Sequence, residues 1–305
     1  MSGPDAARGR DAAAPDWRDA LAGDRRVVEA WLDGVVSRNR FTISVVFPAT
    51  GAVLLVASAE GWLPPPLAFN PLLVLLGVLV MRSPLLVGVA PAVGRRAAAA
   101  LAVLVAYAYA VEYVGVTTGV PYGEFAYGVD LGPTVAGVPV GLPVFFIPLV
   151  LNAYLLCLLL LGDRARDAPV RLGAVIAATL LMDVVLDPGA VALGFWAYAG
   201  DGAFYGVPLS NYAGWVLSAT VAVLCLDRGF DPDALLDRLS NTPFMLDDLV
   251  SFVILWGAIN AWFGNWVPVA VAALFGLGLV RTERFDASLL RVPGLGGLQR
   301  TSRER

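Results

Sequence analysis

The sequence predicts an all-α protein, a polytopic bundle of about eight transmembrane helices, with seven as the alternative. Of its 305 residues, 58% are hydrophobic and 15% are charged, and the mean hydropathy is +0.72. Soluble domains usually carry about 25% charged residues, so this chain has too few to cover a globule in water. Its apolar runs of about twenty residues do not alternate with polar ones. They favour helices, because lipid requires the backbone polar groups to be satisfied internally.

The two ends of the chain are predicted to be cytoplasmic. Residues 1–40 form a tail that ends in an amphipathic helix, since apolar side chains after Asp24 recur every four residues with charges between them. That pattern is typical of a helix lying on the membrane surface. Residues 41–280 are expected to form the transmembrane catalytic domain, and residues 281–305 a second tail.

Eight spans are expected within the transmembrane domain, and the last two are short enough to form one irregular unit. The spans are 41–59, 64–81, 97–116, 138–161, 170–190, 209–226, 249–264 and 266–280. The segment 83–94 is apolar but brief and is bounded by arginines. It is predicted to be a re-entrant or interfacial piece.

Arginine placement supports this map and predicts an orientation. All 21 basic residues are arginine, and every one falls in a terminal segment or in or beside alternate loops of the span map, with Arg171 just inside the start of the fifth span. The remaining loops carry none and are rich in tryptophan and tyrosine, which favour the headgroup level. The positive-inside rule therefore predicts a multi-pass cell-membrane protein with both termini in the cytoplasm.

Charge and cysteine content exclude several classes of function. The net charge of −4 and pI of about 4.9 do not suit nucleic-acid binding. Cys157 and Cys225 are isolated within apolar spans and are interpreted as small core residues. The chain has no histidine, so neither a metal site nor a cofactor is predicted.

Three carboxylic acids fall within predicted spans. Glu112 and Asp183 lie at one depth, roughly 20 Å from the cytoplasmic ends of their helices at about 1.5 Å per residue. Asp183 and Asp187 are four residues apart and share a helix face. A charged carboxylate at that depth costs several kcal/mol without a partner, and no lysine, histidine or outer arginine is available. At least one acid is therefore expected to stay protonated and to serve as a general acid.

An alternative interpretation is that these acids are structural. They would cap a helix end or bond to nearby tyrosines and backbone groups. This applies most to Asp187, because the following Pro188 is a position where the helix is expected to break.

Two outer loops follow these acids and resemble one another. The first contains Glu112-Tyr113, GVPYGEFAYG at 119–128 and Gly-Val-Pro at 137–139. The second contains GFWAYAG at 194–200 and YGVPLSN at 205–211. Both loops connect an outgoing to a returning span, so they predict a parallel pair of helical hairpins.

Together the loops are expected to line a pocket with carboxyls and aromatic rings. Aromatic faces stabilise a nearby cation, and tyrosine hydroxyls position water. This combination favours carbocation chemistry on an apolar substrate. The expected substrate-binding residues are Tyr113, Tyr122, Glu124, Tyr127, Trp196, Tyr198, Tyr205, Asn211 and Trp215.

Taken in order, the motifs GVPYGEFAYG, MDVVLDP at 182–188 and YGVPLSNYAGW at 205–215 resemble the CruF-type carotenoid hydratases. The resemblance covers roughly residues 97–226. It implies a membrane enzyme, a hydro-lyase that adds water to the terminal isopropylidene double bonds of acyclic carotenoids. The arginine-rich tail and acidic balance are most similar to the branch of halophilic archaea that converts bisanhydrobacterioruberin to bacterioruberin. Association with other carotenoid-biosynthesis enzymes is a further expectation.

The residues suggest an acid-catalysed mechanism for such a reaction. Asp183 or Glu112 is expected to protonate the secondary olefinic carbon, and Asp187 to deprotonate the attacking water. Two alternatives use the same acids. Asp183 and Asp187 form a DxxxD pair that could bind magnesium diphosphate in a polyprenyl transferase, and buried carboxyls also serve as relays in proton-coupled transporters.

Overall fold

A computed structural model describes residues 25–284, and the predicted tail residues on either side lie outside that range. The helices are α1 (Arg25–Phe41), α2 (Phe47–Ala59), α3 (Pro71–Val89), α4 (Arg95–Thr118), α5 (Leu142–Leu161), α6 (Ala168–Leu193), α7 (Leu209–Gly229), α8 (Pro232–Asn241), α9 (Asp247–Trp262) and α10 (Trp266–Arg281). The strands are β1 (Phe125–Tyr127), β2 (Thr134–Val135), β3 (Val138–Pro139) and β4 (Trp196–Tyr198).

Six helical stretches within residues 25–284 are long and apolar enough to cross a membrane, judged by length and composition. They are Arg25–Ala59, Pro71–Ala92, Arg95–Thr118, Leu142–Arg166, Ala168–Leu193 and Leu209–Gly229. The shorter helices α9 and α10 occupy the positions of the last two predicted spans. The protein is therefore a multi-pass, all-α membrane protein, and the eight predicted spans correspond to six long stretches and two short helices.

The first stretch is longer than the predicted first span. The amphipathic helix α1 runs through a π-helical segment, Thr42–Val46, directly into α2. Phe41 and Phe47, on either side of that segment, keep right-handed helical backbone angles. The predicted surface helix is therefore continuous with the first span, and its position on the membrane surface stays a prediction.

The predicted second span begins several residues before the observed helix, and the prediction that 83–94 is a separate segment is wrong. Helix α3 begins after Asn70, whose side chain accepts hydrogen bonds of 3.1 Å from the backbone N–H groups of Leu72 and Leu73. It then continues through Arg82 to Val89. Arg82 does not end the span, because it is buried and donates a 2.7 Å hydrogen bond to Asp248 of α9.

Helices α4 to α7 form the part of the bundle that positions the site. Helix α4 packs against α5 and α7, and α6 packs against the same two helices. The four helices therefore close into a ring. Helices α9 and α10 pack on the outer side of α6, with α2 and α3 beyond α9. The helix connections that carry arginines meet at one end, where Arg238 donates to the Gly88 carbonyl oxygen and Arg25 to that of Ala90.

Candidate functional site

A cavity of about 160 Å³ lies at the opposite end of the ring, beneath the loops between α4 and α5 and between α6 and α7. Its walls come from all four helices of the ring and from both loops. Eight of the predicted site residues line it: Glu112, Asp187, Tyr122, Tyr127, Trp196, Tyr198, Asn211 and Trp215. No arginine is among the lining residues. The cavity is therefore a largely apolar chamber with two carboxyl groups.

The two similar loops pair directly with one another. Strand β1 and strand β4 form an antiparallel ladder in which Ala126 lies opposite Ala197. Phe125 lies opposite Tyr198, and Tyr127 opposite Trp196. The segments Phe-Ala-Tyr and Trp-Ala-Tyr are therefore related by a local two-fold axis through the two alanines.

The same two-fold relation extends to the helix ends and turns. Helices α4 and α6 both end at a left-handed glycine, Gly119 and Gly194, with φ of 74° and 77°. Each returning helix follows a two-residue turn with positive φ at both positions, Ala136-Gly137 in one loop and Tyr205-Gly206 in the other. Such turns favour glycine at the second position because it has no Cβ.

This relation makes Glu112 and Asp187 equivalent positions. Glu112 lies seven residues before Gly119, and Asp187 seven residues before Gly194. Both line the cavity. Helix α6 continues past Pro188 to Leu193, so Asp187 lies within a helix and does not cap its end. The capping interpretation of Asp187 is therefore wrong.

Each of these carboxyls accepts a hydrogen bond from the last residue of a paired strand. The Tyr127 hydroxyl donates to Glu112 Oε1, and the Tyr198 hydroxyl donates to Asp187 Oδ2 over 3.1 Å. Burial, reinforced by the neighbouring carboxyls, raises the pKa of both tyrosines above its ordinary value. Both hydroxyls therefore keep their protons and act as donors.

Asp183 lies behind the cavity. It is fully buried, and it is absent from the cavity lining. The side-chain amide of Asn211, on α7, donates to Oδ2 of Asp183 over 3.0 Å and to Oδ2 of Asp187 over 2.5 Å. The sequence correctly placed Asp183 beside Asp187, but the structure separates Asp183 from the cavity.

Aromatic rings form part of the cavity wall. Phe146 of α5 and Trp215 of α7 stack with ring centroids 5.7 Å apart. Tyr122 packs beside Trp215 and its hydroxyl lies 2.6 Å from the Ser218 hydroxyl. Gly214 permits this approach, because a Cβ at that position would lie 2.5 Å from the Tyr122 ring. The wall offers π faces to any positive charge in the cavity.

Three predicted binding residues lie away from the cavity. Tyr113 is 48% exposed, because the residue after Glu112 points to a different side of α4. Glu124 is exposed in the loop, and Tyr205 is partly exposed in the positive-φ turn. None of the three contributes to the cavity lining.

Most of the apolar lining was not anticipated, because a leucine or phenylalanine in a membrane span carries no distinguishing sequence signal. Its members include Ala108, Phe125, Leu142, Phe146, Phe195 and Trp256. Of these, Phe146 was predictable in principle, because it lies nine residues after Gly137, as Trp215 does after Gly206.

Comparison with known proteins shows the family to which the chain belongs. The pattern of the family described as "Carotenoid biosynthesis protein" matches residues 69–279. The chain is 59% identical over 282 residues to the bisanhydrobacterioruberin hydratase of Haloarcula japonica, an alignment that covers 92% of this chain and 95% of that protein. No solved structure matches the chain. The matched span includes every helix and loop that lines the cavity, and the chain belongs to the carotenoid biosynthesis protein family.

Proposed function

We propose that this protein is a carotenoid hydratase, a hydro-lyase that adds water to the terminal double bonds of bisanhydrobacterioruberin and so produces bacterioruberin. The observation that carries the proposal is the pair of carboxyls, Glu112 and Asp187, facing one apolar, aromatic-walled cavity without an arginine. The high identity to a protein named for that reaction supports the choice of substrate.

The reaction needs one proton donor and one proton acceptor. A protonated carboxyl transfers its proton to the secondary olefinic carbon of the terminal isoprenoid unit, and the π electrons form the new C–H bond. The adjacent tertiary carbon becomes a cation that Phe146, Trp215 and Tyr122 stabilise through their π faces. Water attacks this carbon while the second carboxylate removes a proton, which yields a tertiary alcohol.

The cavity size fits one end of the substrate. An apolar cavity of about 150 Å³ is large enough for a benzene molecule. The observed volume of about 160 Å³ therefore accommodates a terminal isoprenoid group, while the conjugated chain must extend out of the site. Hydration of both ends then requires the carotenoid to leave and rebind in the opposite direction.

We also propose that the protein lies in the cell membrane with its termini in the cytoplasm and the cavity in the outer leaflet. The arginines at one end of the bundle support this orientation through the positive-inside rule. Single cysteines introduced at exposed Trp62 and Arg228, in a chain without Cys157 and Cys225, test it with a membrane-impermeant thiol reagent. Labelling of the Trp62 position alone in intact cells is expected, and labelling of the Arg228 position alone would contradict it.

The activity is tested with purified protein in detergent and bisanhydrobacterioruberin, by following product mass. Each hydrated end adds the mass of one water. We expect Glu112→Gln and Asp187→Asn to lower the rate by about 10²-fold or more, because each removes a proton-transfer group. Tyr113→Phe is the control, since its ring lies outside the cavity. Full product from both variants would contradict the mechanism, and no product from the unaltered protein would contradict the function.

A further inference from the structure

The two halves of the site share a backbone but differ in the side chains around their carboxyls. Ala108 lies eleven residues before Gly119, as Asp183 does before Gly194. Leu142 lies five residues after Gly137, as Asn211 does after Gly206. The polar pair next to Asp187 is therefore replaced by an apolar pair next to Glu112.

The correspondence between the two halves of the site rests on several independent pairs of equivalent residues and not on Glu112 and Asp187 alone. Phe146 and Trp215, which lie nine residues after the two turn glycines, stack on one another across the axis. The β1 and β4 ladder is centred on Ala126 and Ala197, and both helices end at left-handed glycines. A two-fold relation that reproduces caps, strands, turns and a ring stack identifies equivalent positions reliably.

The hydrogen bonds to the two carboxyls differ accordingly. Asp187 Oδ2 accepts from the Asn211 amide as well as from Tyr198, and the same Asn211 nitrogen also donates to Asp183 Oδ2. Glu112 accepts one hydrogen bond from within residues 25–284, donated by the Tyr127 hydroxyl. Ala108 and Leu142, the counterparts of Asp183 and Asn211, both line the cavity and donate nothing to Glu112.

These differences favour different charge states for the Glu112 and Asp187 carboxyls. Donors aimed at a carboxylate stabilise its charged form, whereas an apolar surrounding stabilises the neutral acid. Asp183 and Asp187 share one amide nitrogen, and two adjacent like charges are unfavourable, so one proton resides between them. With Asp183 protonated, its hydroxyl becomes one more donor to the Asp187 carboxylate.

We infer that the uneven repeat fixes the direction of catalysis: Glu112 is the proton donor, Asp187 is the proton acceptor, and Asp183 with Asn211 is the pair that positions Asp187 and keeps it charged. This inference rests on the proposed function. Asp183 is a positioning residue, because it does not line the cavity. After each turnover Glu112 is charged and Asp187 is neutral, and the return of that proton through the cavity restores both. The net change is the addition of one water.

Deuterium exchange separates the donor from the acceptor. In D₂O, an exchanged Glu112 carboxyl delivers a deuteron to the olefinic carbon and forms the tertiary cation. In Asp187→Asn the cation lacks the base that activates water, and it returns to alkene by losing the original proton to the Glu112 carboxylate. The recovered carotenoid is then expected to carry deuterium although alcohol formation falls by about 10²-fold.

Glu112→Gln is expected to show neither exchange nor hydration, because no cation forms. The reverse pattern, with exchange in Glu112→Gln and none in Asp187→Asn, would overturn the assignment. Loss of exchange in both variants would overturn it as well, since the two acids would then act as one inseparable unit. The unaltered protein is assayed in parallel. Its failure to form alcohol would refute the proposed function itself, which distinguishes the two results.

The positioning role of Asp183 and Asn211 is tested by the ratio of the hydration rate to the rate of deuterium exchange. Asn211→Leu installs the residue found at the equivalent position of the first half. It is expected to lower hydration by about tenfold while exchange by Glu112 persists. Asp183→Leu is expected to behave similarly, and Asp183→Asn to restore much of the hydration because an amide also donates.

The matched control is Asn241→Leu, which makes the same change at an exposed position of α8. It is expected to alter neither rate. An equal fall of hydration and exchange in Asn211→Leu would overturn the positioning role, because general damage to the cavity lowers both.

Discussion

The two ends of the bundle bury carboxylic acids in opposite ways. At the arginine-bearing end, Asp248 accepts hydrogen bonds from Arg82 and from Asn152, over 2.7 and 2.6 Å. Asp227 likewise pairs with Arg171 at 2.7 Å. At the cavity end, the donors to Glu112, Asp183 and Asp187 within the described part of the chain are tyrosine and asparagine side chains.

The difference teaches which buried acids are available for chemistry. A carboxylate neutralised by a guanidinium holds a fixed charge and ties helices together. An acid without a cation can exchange its proton with a substrate at little electrostatic cost. The cationic partner, and not burial alone, separates structural from reactive acids in this protein.

Removing a cation from the structural end is expected to have the largest effect. Arg82→Met leaves Asp248 as a buried charge without its guanidinium and should cost about 3–5 kcal/mol in the free energy of unfolding. Thermal unfolding in detergent measures it. The double variant Arg82→Met with Asp248→Leu should recover most of the loss. If the double variant is as unstable as Arg82→Met, the loss of stability does not come from an unpaired charge on Asp248.

Adding a cation to the reactive end tests the same comparison in reverse. Leu142→Arg places a guanidinium in the cavity beside the two carboxyls, and hydration should fall by about 10²-fold or more because both acids become fixed charges. Leu142→Met controls for side-chain length and should retain activity. Equal activity in the two variants, measured by product mass, would contradict the comparison.

Removing single tyrosine donors should have smaller effects. Tyr127→Phe and Tyr198→Phe each delete one hydrogen bond to a cavity carboxyl and should lower the hydration rate by about tenfold. Tyr109→Phe is the control, because its hydroxyl donates to the Val140 carbonyl oxygen and not to a carboxyl. An unchanged rate in both test variants would mean that the strand tyrosines only fill space.

The smallest expected effect is at Glu124. Glu124→Gln removes an exposed acid that the sequence placed in the site, and the hydration rate should stay within about twofold of the unaltered protein. A large loss of rate would show that the loop brings Glu124 to the substrate.

Several features of the site were predictable from the sequence for physical reasons. Glu112 and Asp187 stand out because the outer halves of their spans contain no lysine, histidine or arginine that could pair with them. The likeness of the loops at 119–128 and 194–200 correctly indicated related hairpins. Their direct pairing as β1 and β4 could not be read from the sequence, because a three-residue strand has no detectable periodicity.

Charged residues within spans were the main source of error. Arg82 ended the second predicted span, because a buried arginine is costly unless paired. Its partner, Asp248, lies 166 residues further along the chain. No local pattern reveals a contact across that separation.

The sequence by itself determined that the chain spans a membrane, that its arginines favour one end, and which acids are buried without cations, since all of these follow from composition and spacing. Only the tertiary structure decided which of Asp183 and Asp187 faces the cavity. Asp183 and Asp187 are one helical turn apart on one face, and the packing of α7 turns Asn211 towards both, yet of these two acids Asp187 lines the cavity and Asp183 does not. Contacts between helices, and not helical periodicity, make that distinction.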